Sequence, residues 1–308
     1  MSVKTLSLVL GTLLLTMACG QAGEEELGQS DQSLESGNGL SRNGLSRNGL
    51  SRNGLSRNGL SRNGLSRNGL STNGLSRNGL GAADFKAWFE ADVEASASLM
   101  RYVARCALSD DQSLTYTSPS SQMTYVWRGN LGLAPVWAAG HPIPVAEQQL
   151  VTACLAAHVN KYGASVNISV RGYDEYLRPI PLDKGEEQYS VREACFFGNM
   201  FEDEGFFVGL DRPDYSQDVT TPRGCALEAG AVGDCPPLQA VGLCKKNCVA
   251  GPDGNWLTCW RGIRQYRPIS TRLKPSEVYR CGDGVCEFTE SPYNPKTGHG
   301  CLLDCGSL

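Results

Sequence analysis

Histidine is almost missing from this chain: His141, His158 and His299 are the only three in 308 residues. A site built on several imidazoles, whether a zinc centre or a nucleophile with its base, has little to draw on. Also missing are a Gly-x-Ser-x-Gly elbow, a His-Glu-x-x-His pair, a Gly-Lys-Ser/Thr phosphate loop and a dinucleotide fingerprint. Enzymes that depend on those signatures are thereby excluded. No apolar run reaches the ~20 residues that a helix needs to cross a bilayer. Positive charge is not in excess either. The formal net charge is −4, and residues 81–308 hold 27 acidic against 20 basic side chains, or −7. Nucleic acid is a poor partner for such a surface, because phosphate binding needs a basic face.

What the chain has in plenty is cysteine, 13 in all, and a five-residue repeat. Asn-Gly-Leu recurs nine times at that spacing between Asn38 and Leu80, followed by Ser-Arg in most copies; Thr72 is the one substitution and Gly81 closes the run. Its seven arginines (42, 47, 52, 57, 62, 67 and 77) give the repeat a charge of +7. The run divides the chain into a leader (1–18), a tether (19–80), a cysteine-containing head (81–280) and a small cysteine-rich knot (281–308). Asn-Gly favours turns, since both residues tolerate positive φ. One Leu in five offers little burial against the entropy of ordering a chain. A disordered tether is the expectation. The alternative is a solenoid: period five with a central Leu resembles the pentapeptide-repeat β-solenoid, which needs stacked neighbours to bury a continuous core.

The leader has Lys4 before an apolar core, Leu6 to Leu15, that is too short to span. It ends in Thr16-Met17-Ala18-Cys19-Gly20, which resembles a bacterial lipobox. That resemblance implies cleavage before Cys19, diacylglycerol on its thiol and palmitate-like acyl chains; Gly20 in place of Asp implies sorting to the outer membrane. Two or more chains hold a protein stably, as one binds reversibly. Ordinary secretion without lipid is the competing outcome.

With Cys19 set aside, an even number of cysteines remains: Cys106, Cys154, Cys195, Cys225, Cys235, Cys244, Cys248, Cys259, Cys281, Cys286, Cys301 and Cys305. In an exported chain they read as a disulfide framework. Zinc is the rival use of Cys244/Cys248, Cys281/Cys286 and Cys301/Cys305, but no histidine stands at ligand spacing. Apolar residues at three- and four-residue spacing predict a helix over Asp84 to Leu108 and another over Val145 to Tyr162. Cys106 and Cys154 lie on their apolar faces, so the two are expected to bond. His158, one turn from Cys154, invites a thiol-protease reading; an oxidised Cys154 beside a structural histidine is the plainer one. A hairpin is expected over 114–127, with an aromatic face for core or for sugar rings. Strands are expected over 166–170, 205–210, 256–260 and 265–272. Ser190 with Glu193 suggests a capping box and a short helix over Tyr189 to Phe201. The fold class is α+β, with at least two helices and an antiparallel sheet. Carboxylates flank the 205–210 strand (Glu202, Asp203, Glu204, then Asp211, Asp214, Asp218); a glycosidase pair or a calcium site is the sharp reading and solvated loops the plain one.

Cys281-Gly-Asp283-Gly-Val-Cys286, Glu290 and Cys301-Leu-Leu-Asp304-Cys305 resemble a short repeat of secreted proteins with the pattern Cys-Gly-Asp-Gly-x-Cys…Glu…Asp-Cys. Asp283, Glu290 and Asp304 offer hard oxygen ligands for calcium, the only cofactor the sequence suggests; a metal-free knot is the alternative. Lipobox, repeat, head and knot together resemble lipoproteins of gliding Gram-negative soil bacteria. The resemblance implies a lipid-anchored place at the outer membrane or cell surface and carries no activity. Two functions stay open: a displayed binding or structural domain that meets surface polysaccharide or another envelope protein, and a surface-anchored hydrolase that attacks glycans through carboxylates.

Overall fold

The computed structural model describes residues 36–37, 68–159, 167–211, 219–220, 238–280, 282, 284, 286 and 302–306. The first element is a two-residue strand, β1 (Ser36–Gly37). Inside the repeat come two short helices, α1 (Leu70–Asn73) and α2 (Arg77–Gly81). Leu70, Leu75 and Leu80 are all buried in the main core. Among the described residues the core therefore takes in 68–80 as well as the chain from 81, and the last copies of the repeat belong to the head. Their backbone is held locally. Asn68 Oδ1 accepts the Leu70 N–H at 3.0 Å. Ser76 caps α2 by accepting from the Gly79 N–H at 3.4 Å. One leucine in five cannot order a chain by itself, but here the head lends the rest of the core.

The helix expected over Asp84 to Leu108 is two helices, α3 (Ala83–Ala91) and α4 (Val93–Ala107). Asp92 separates them. It is extended, with φ −156°, and its carboxylate accepts the Ala95 N–H at 3.0 Å. Aspartate is more useful as a cap than inside a helix, where it competes with the backbone bonds. Next comes the expected hairpin, β2 (Ser113–Thr117) and β3 (Thr124–Arg128), with Leu114 opposite Trp127 and Tyr116 opposite Tyr125. Its aromatic face is core: the Tyr116 ring lies 5.1 Å from Phe85 and 4.7 Å from Phe89, both edge-on. After a short helix α5 (Pro135–Ala138), helix α6 (Val145–Ala157) stops five residues before the expected Tyr162, with His158 at its C-cap. Almost every side chain of α6 beyond its first turn is buried, because it lies between α4 and the sheet.

The remaining strands are β4 (Asn167–Gly172), β5 (Val191–Gly198), β6 (Phe206–Leu210), β7 (Val219–Thr220) and β8 (Leu238–Leu243). A turn of helix α7 (Cys244–Asn247) leads to β9 (Cys248–Ala250), β10 (Trp256–Arg261), β11 (Arg264–Tyr266), β12 (Ile269–Leu273) and β13 (Tyr279–Arg280), and α8 (Leu302–Cys305) is the last described element. β5 corrects the helix expected over Tyr189 to Phe201. Ala194, Cys195, Phe196 and Phe197 are all buried, so the segment has two apolar faces. Helical capping at one end cannot outweigh a site between two neighbouring strands, where both faces are covered.

The main sheet has the order β1-β4-β12-β5-β6-β8, antiparallel throughout except for β6 beside β8. β1 joins its edge, with Ser36 opposite Ile168, so the chain meets the head just before the repeat starts as well as at its end. One face of the sheet carries Ile168, Val170, Phe196, Val208 and Ile269 into the helical layer. The other carries Cys195, Phe197 and Phe207 into a second cluster with Trp256 and Tyr266, which belong to the three-stranded sheet β11-β10-β9. The class is α+β, as the residue pattern implied.

Candidate functional site

Four disulfides lie among the described residues: Cys106–Cys154, Cys195–Cys244, Cys248–Cys259 and Cys286–Cys305. The first is the pairing inferred from the two helix faces. Cys244 and Cys248 are both oxidised, to different partners, which removes zinc as their use. Cys154 is oxidised too, so it cannot act as a nucleophile. The nearby imidazole instead serves the helix end: His158 Nδ1 lies 2.8 Å from the Cys154 carbonyl oxygen. Cys19, Cys225, Cys235, Cys281, Cys301, Asp283 and Glu290 lie outside the described residues, as do Asp214 and Asp218. Asp304 is described, and its carboxylate accepts the N–H groups of Gly282 at 2.5 Å and Gly284 at 2.9 Å. In that role Asp304 holds two glycine N–H groups of the knot.

Three arginines come together on the second face of the main sheet, and sequence reasoning singled out none of them. In β4, Ser169 and Arg171 point that way; in β12, Ser270 pairs with Arg171 and Arg272 pairs with Ser169. A register shift at Thr271/Arg272 then sets Arg192 of β5 beside Arg272. The signal was in the alternation: Ser-x-Arg occurs in both β4 and β12, at the positions opposite buried aliphatics. That pattern marks a polar strip on a sheet whose other face is core.

The strip is cationic and only partly balanced. Arg192 donates to both oxygens of Asp211, each at 3.0 Å, and Trp256 Nε1 adds a third bond to Asp211 at 2.8 Å. The Arg192 guanidinium also lies over the Trp256 ring, 5.4 Å from its centroid. Arg171 donates to the Glu186 carbonyl at 2.8 Å and stands 4.0 Å from that residue's carboxylate, which accepts from Ser169 at 2.8 Å. Arg272 is half-buried and reaches the Asn255 amide oxygen at 3.4 Å. Burial pushes the Asp211 and Glu186 carboxyls up, against the pull of Arg192 on the first and of Ser169 and Arg171 on the second. The same cause pushes the Arg171 guanidinium down. Arg171 Nε and Ser270 Oγ are buried with no hydrogen-bond partner among the described residues. Three guanidinium groups thus face two carboxylates, with donors to spare. The arrangement suits a planar anion such as a carboxylate.

A pair of carboxylates occurs elsewhere. Glu147, fully buried, accepts from the N–H groups of Val136 at 2.9 Å and Trp137 at 3.0 Å. Burial raises its pKa, and Glu175 nearby raises it further; burial first, then its own backbone bond and Asp174, act on Glu175, which is raised as well. Both oxygens of Glu147 are engaged in starting α5, so its part is structural. Comparison with protein families, with curated proteins and with solved structures returned no match.

Proposed function

We propose that this chain is a lipid-anchored protein of the outer membrane or cell surface whose disulfide-stabilised head binds an anionic group, as found on acidic polysaccharide or on another envelope protein. The anchor rests on Ala18-Cys19 after a leader too short to span. The binding part rests on one observation: the arginine strip on the sheet, in which Arg272 makes no ion pair among the described residues and only its longer-range charge reaches Asp211, while the head as a whole is acidic. A fixed guanidinium fork recognises a carboxylate with two parallel bonds, which a solvated lysine cannot do.

Two measurements on the full chain test it. Wild type should partition into detergent, and Cys19→Ala should stay in the aqueous phase or persist as precursor. Retention on an acidic-polysaccharide column should fall about tenfold for Arg272→Gln, the loss of ~1.4 kcal/mol that one charge-assisted bond supplies. Equal retention of the two proteins, with both folded, would reject the arginine strip as the binding surface.

The second function, a glycan hydrolase acting through carboxylates, is favoured by the raised Glu175 beside Glu147. Against it stands the engagement of both Glu147 oxygens by backbone donors. Hydrolysis of surface glycan that Glu175→Gln abolishes would overturn the binding proposal.

A further inference from the structure

The slot that holds the end of the repeat reads almost nothing but features common to every copy. Three bonds fasten the repeat to the segment 137–143, the end of α5 and the loop after it. Trp137 Nε1 donates to the Leu70 carbonyl at 2.6 Å, the Leu75 N–H donates to the Trp137 carbonyl at 2.9 Å, and the Ile143 N–H donates to the Ser71 carbonyl at 3.0 Å. All three use repeat backbone. The side chains that enter are Leu70 and Leu75, 0% and 1% exposed. Glycine is required between them and again before Leu80. Gly74 has φ +80°, and a Cβ there would lie 2.2 Å from the Gly140 carbonyl carbon; a Cβ on Gly79 would lie 2.1 Å from the Gly74 oxygen. Gly74 combines close backbone approach with a left-handed turn and Gly79 has the close approach, and both are open to glycine alone.

Every upstream copy, from Asn38 to Arg67, offers the same Asn, Gly, Leu and Ser at the same spacing. The one residue that marks the seated copy is Thr72, where every upstream copy has Arg. Thr72 is exposed, and its hydroxyl donates to the carbonyl of Gly69 in its own copy at 3.2 Å. It therefore says nothing about register against the head. Arg77, at the same position one copy on, is exposed as well. An arginine in place of Thr72 would meet solvent.

We infer that the slot is a receptor for the repeat itself, and that an upstream copy of the same chain can replace the seated one by a shift of five residues. In the shifted register Leu70 fills the place of Leu75 and Leu65 fills the place of Leu70. Leu80 stays, because it is joined closely to α3, and five residues loop out between the two. The slack comes from 38–67, and the length of repeat on either side of the slot changes in steps of five. Looping out a short segment costs little, since closure entropy grows only slowly with length. Burying serine in a leucine site costs much more, through lost transfer energy and an unpaired hydroxyl.

The full chain tests this with Leu75→Ser in two backgrounds, the natural repeat and one in which Leu40, Leu45, Leu50, Leu55, Leu60 and Leu65 are all serine. In the natural repeat a shift restores leucine to both places, so the drop in Tm should be about half or less of that in the serine background. Hydrogen exchange gives the register directly: the slow amide at residue 75 should pass to residue 70. Leu75→Ala repeats the comparison with a gentler loss if the serine variant does not fold. Equal drops in both backgrounds, or slow exchange that stays at residue 75, would overturn the inference. Rescue that needs high protein concentration and comes with a sedimenting dimer would also overturn it, by giving the slot to a second chain.

Discussion

Tyr116 ionises late, pushed up to about 12, because burial disfavours its anion and the Glu90 carboxylate, a hydrogen-bond partner of its hydroxyl, adds repulsion. Glu90 itself is held below the ordinary carboxylate range, first by its bond from Ser120 in the turn of the hairpin. A phenol raised in the folded state contributes stability that is complete below the unfolded value of about 10 and is lost as pH rises through the folded one. Alkaline unfolding should therefore set in as Tyr116 is forced to ionise. Glu90→Gln removes the negative charge and should bring that ionisation to lower pH. The difference in tyrosinate absorbance between each protein and its Tyr116→Phe counterpart isolates this ring. An unshifted Tyr116 titration in Glu90→Gln would leave burial as the whole cause.

Among the elements, helices α3, α4 and α6 were legible because apolar spacing reports burial on one side, and the hairpin was legible from its alternation. The Cys106–Cys154 bridge followed from two such faces meeting. Two other elements were not legible, for separate reasons. β5 has apolar residues on both faces, so it lacks period two, and Ser190 with Glu193 imitates a helix start. The seated leucines of the repeat are ordered by residues far along the chain, Trp137 and Ile143, which no local pattern announces. The arginine strip was hidden for a related reason: only strand pairing brings Arg171, Arg192 and Arg272 together. The bridges also differ in weight. Cys106–Cys154 has a sequence separation of 48 and Cys248–Cys259 one of 11. In the chain-entropy model these are worth about 4 and about 3 kcal/mol. Replacing each pair by alanine and unfolding the proteins in urea should rank them in that order, with both variants less stable than wild type. A larger loss from the shorter bridge would mean that packing around Trp256 and Tyr266, rather than chain entropy, sets its contribution.

Across the whole molecule, the late strand β12 lies between β4 and β5, bonded to both. Everything before Ile269 leaves that place empty, and two central strands then have unpaired edges with buried polar groups. A chain that stops at Pro268 keeps helices α1 to α7 and most strands, yet it should show no cooperative unfolding transition in urea. A sharp transition for that truncation would mean the helical layer folds alone. The position of β12 also sets a clock. Long-range pairing is slow to form and must wait for its last partner. A chain threaded across a membrane N-terminus first would have nearly all of its length through before the sheet could lock. Until that moment the sheet would stay open, and the thiols of Cys106 and Cys154 could meet an oxidant before the core closes over them.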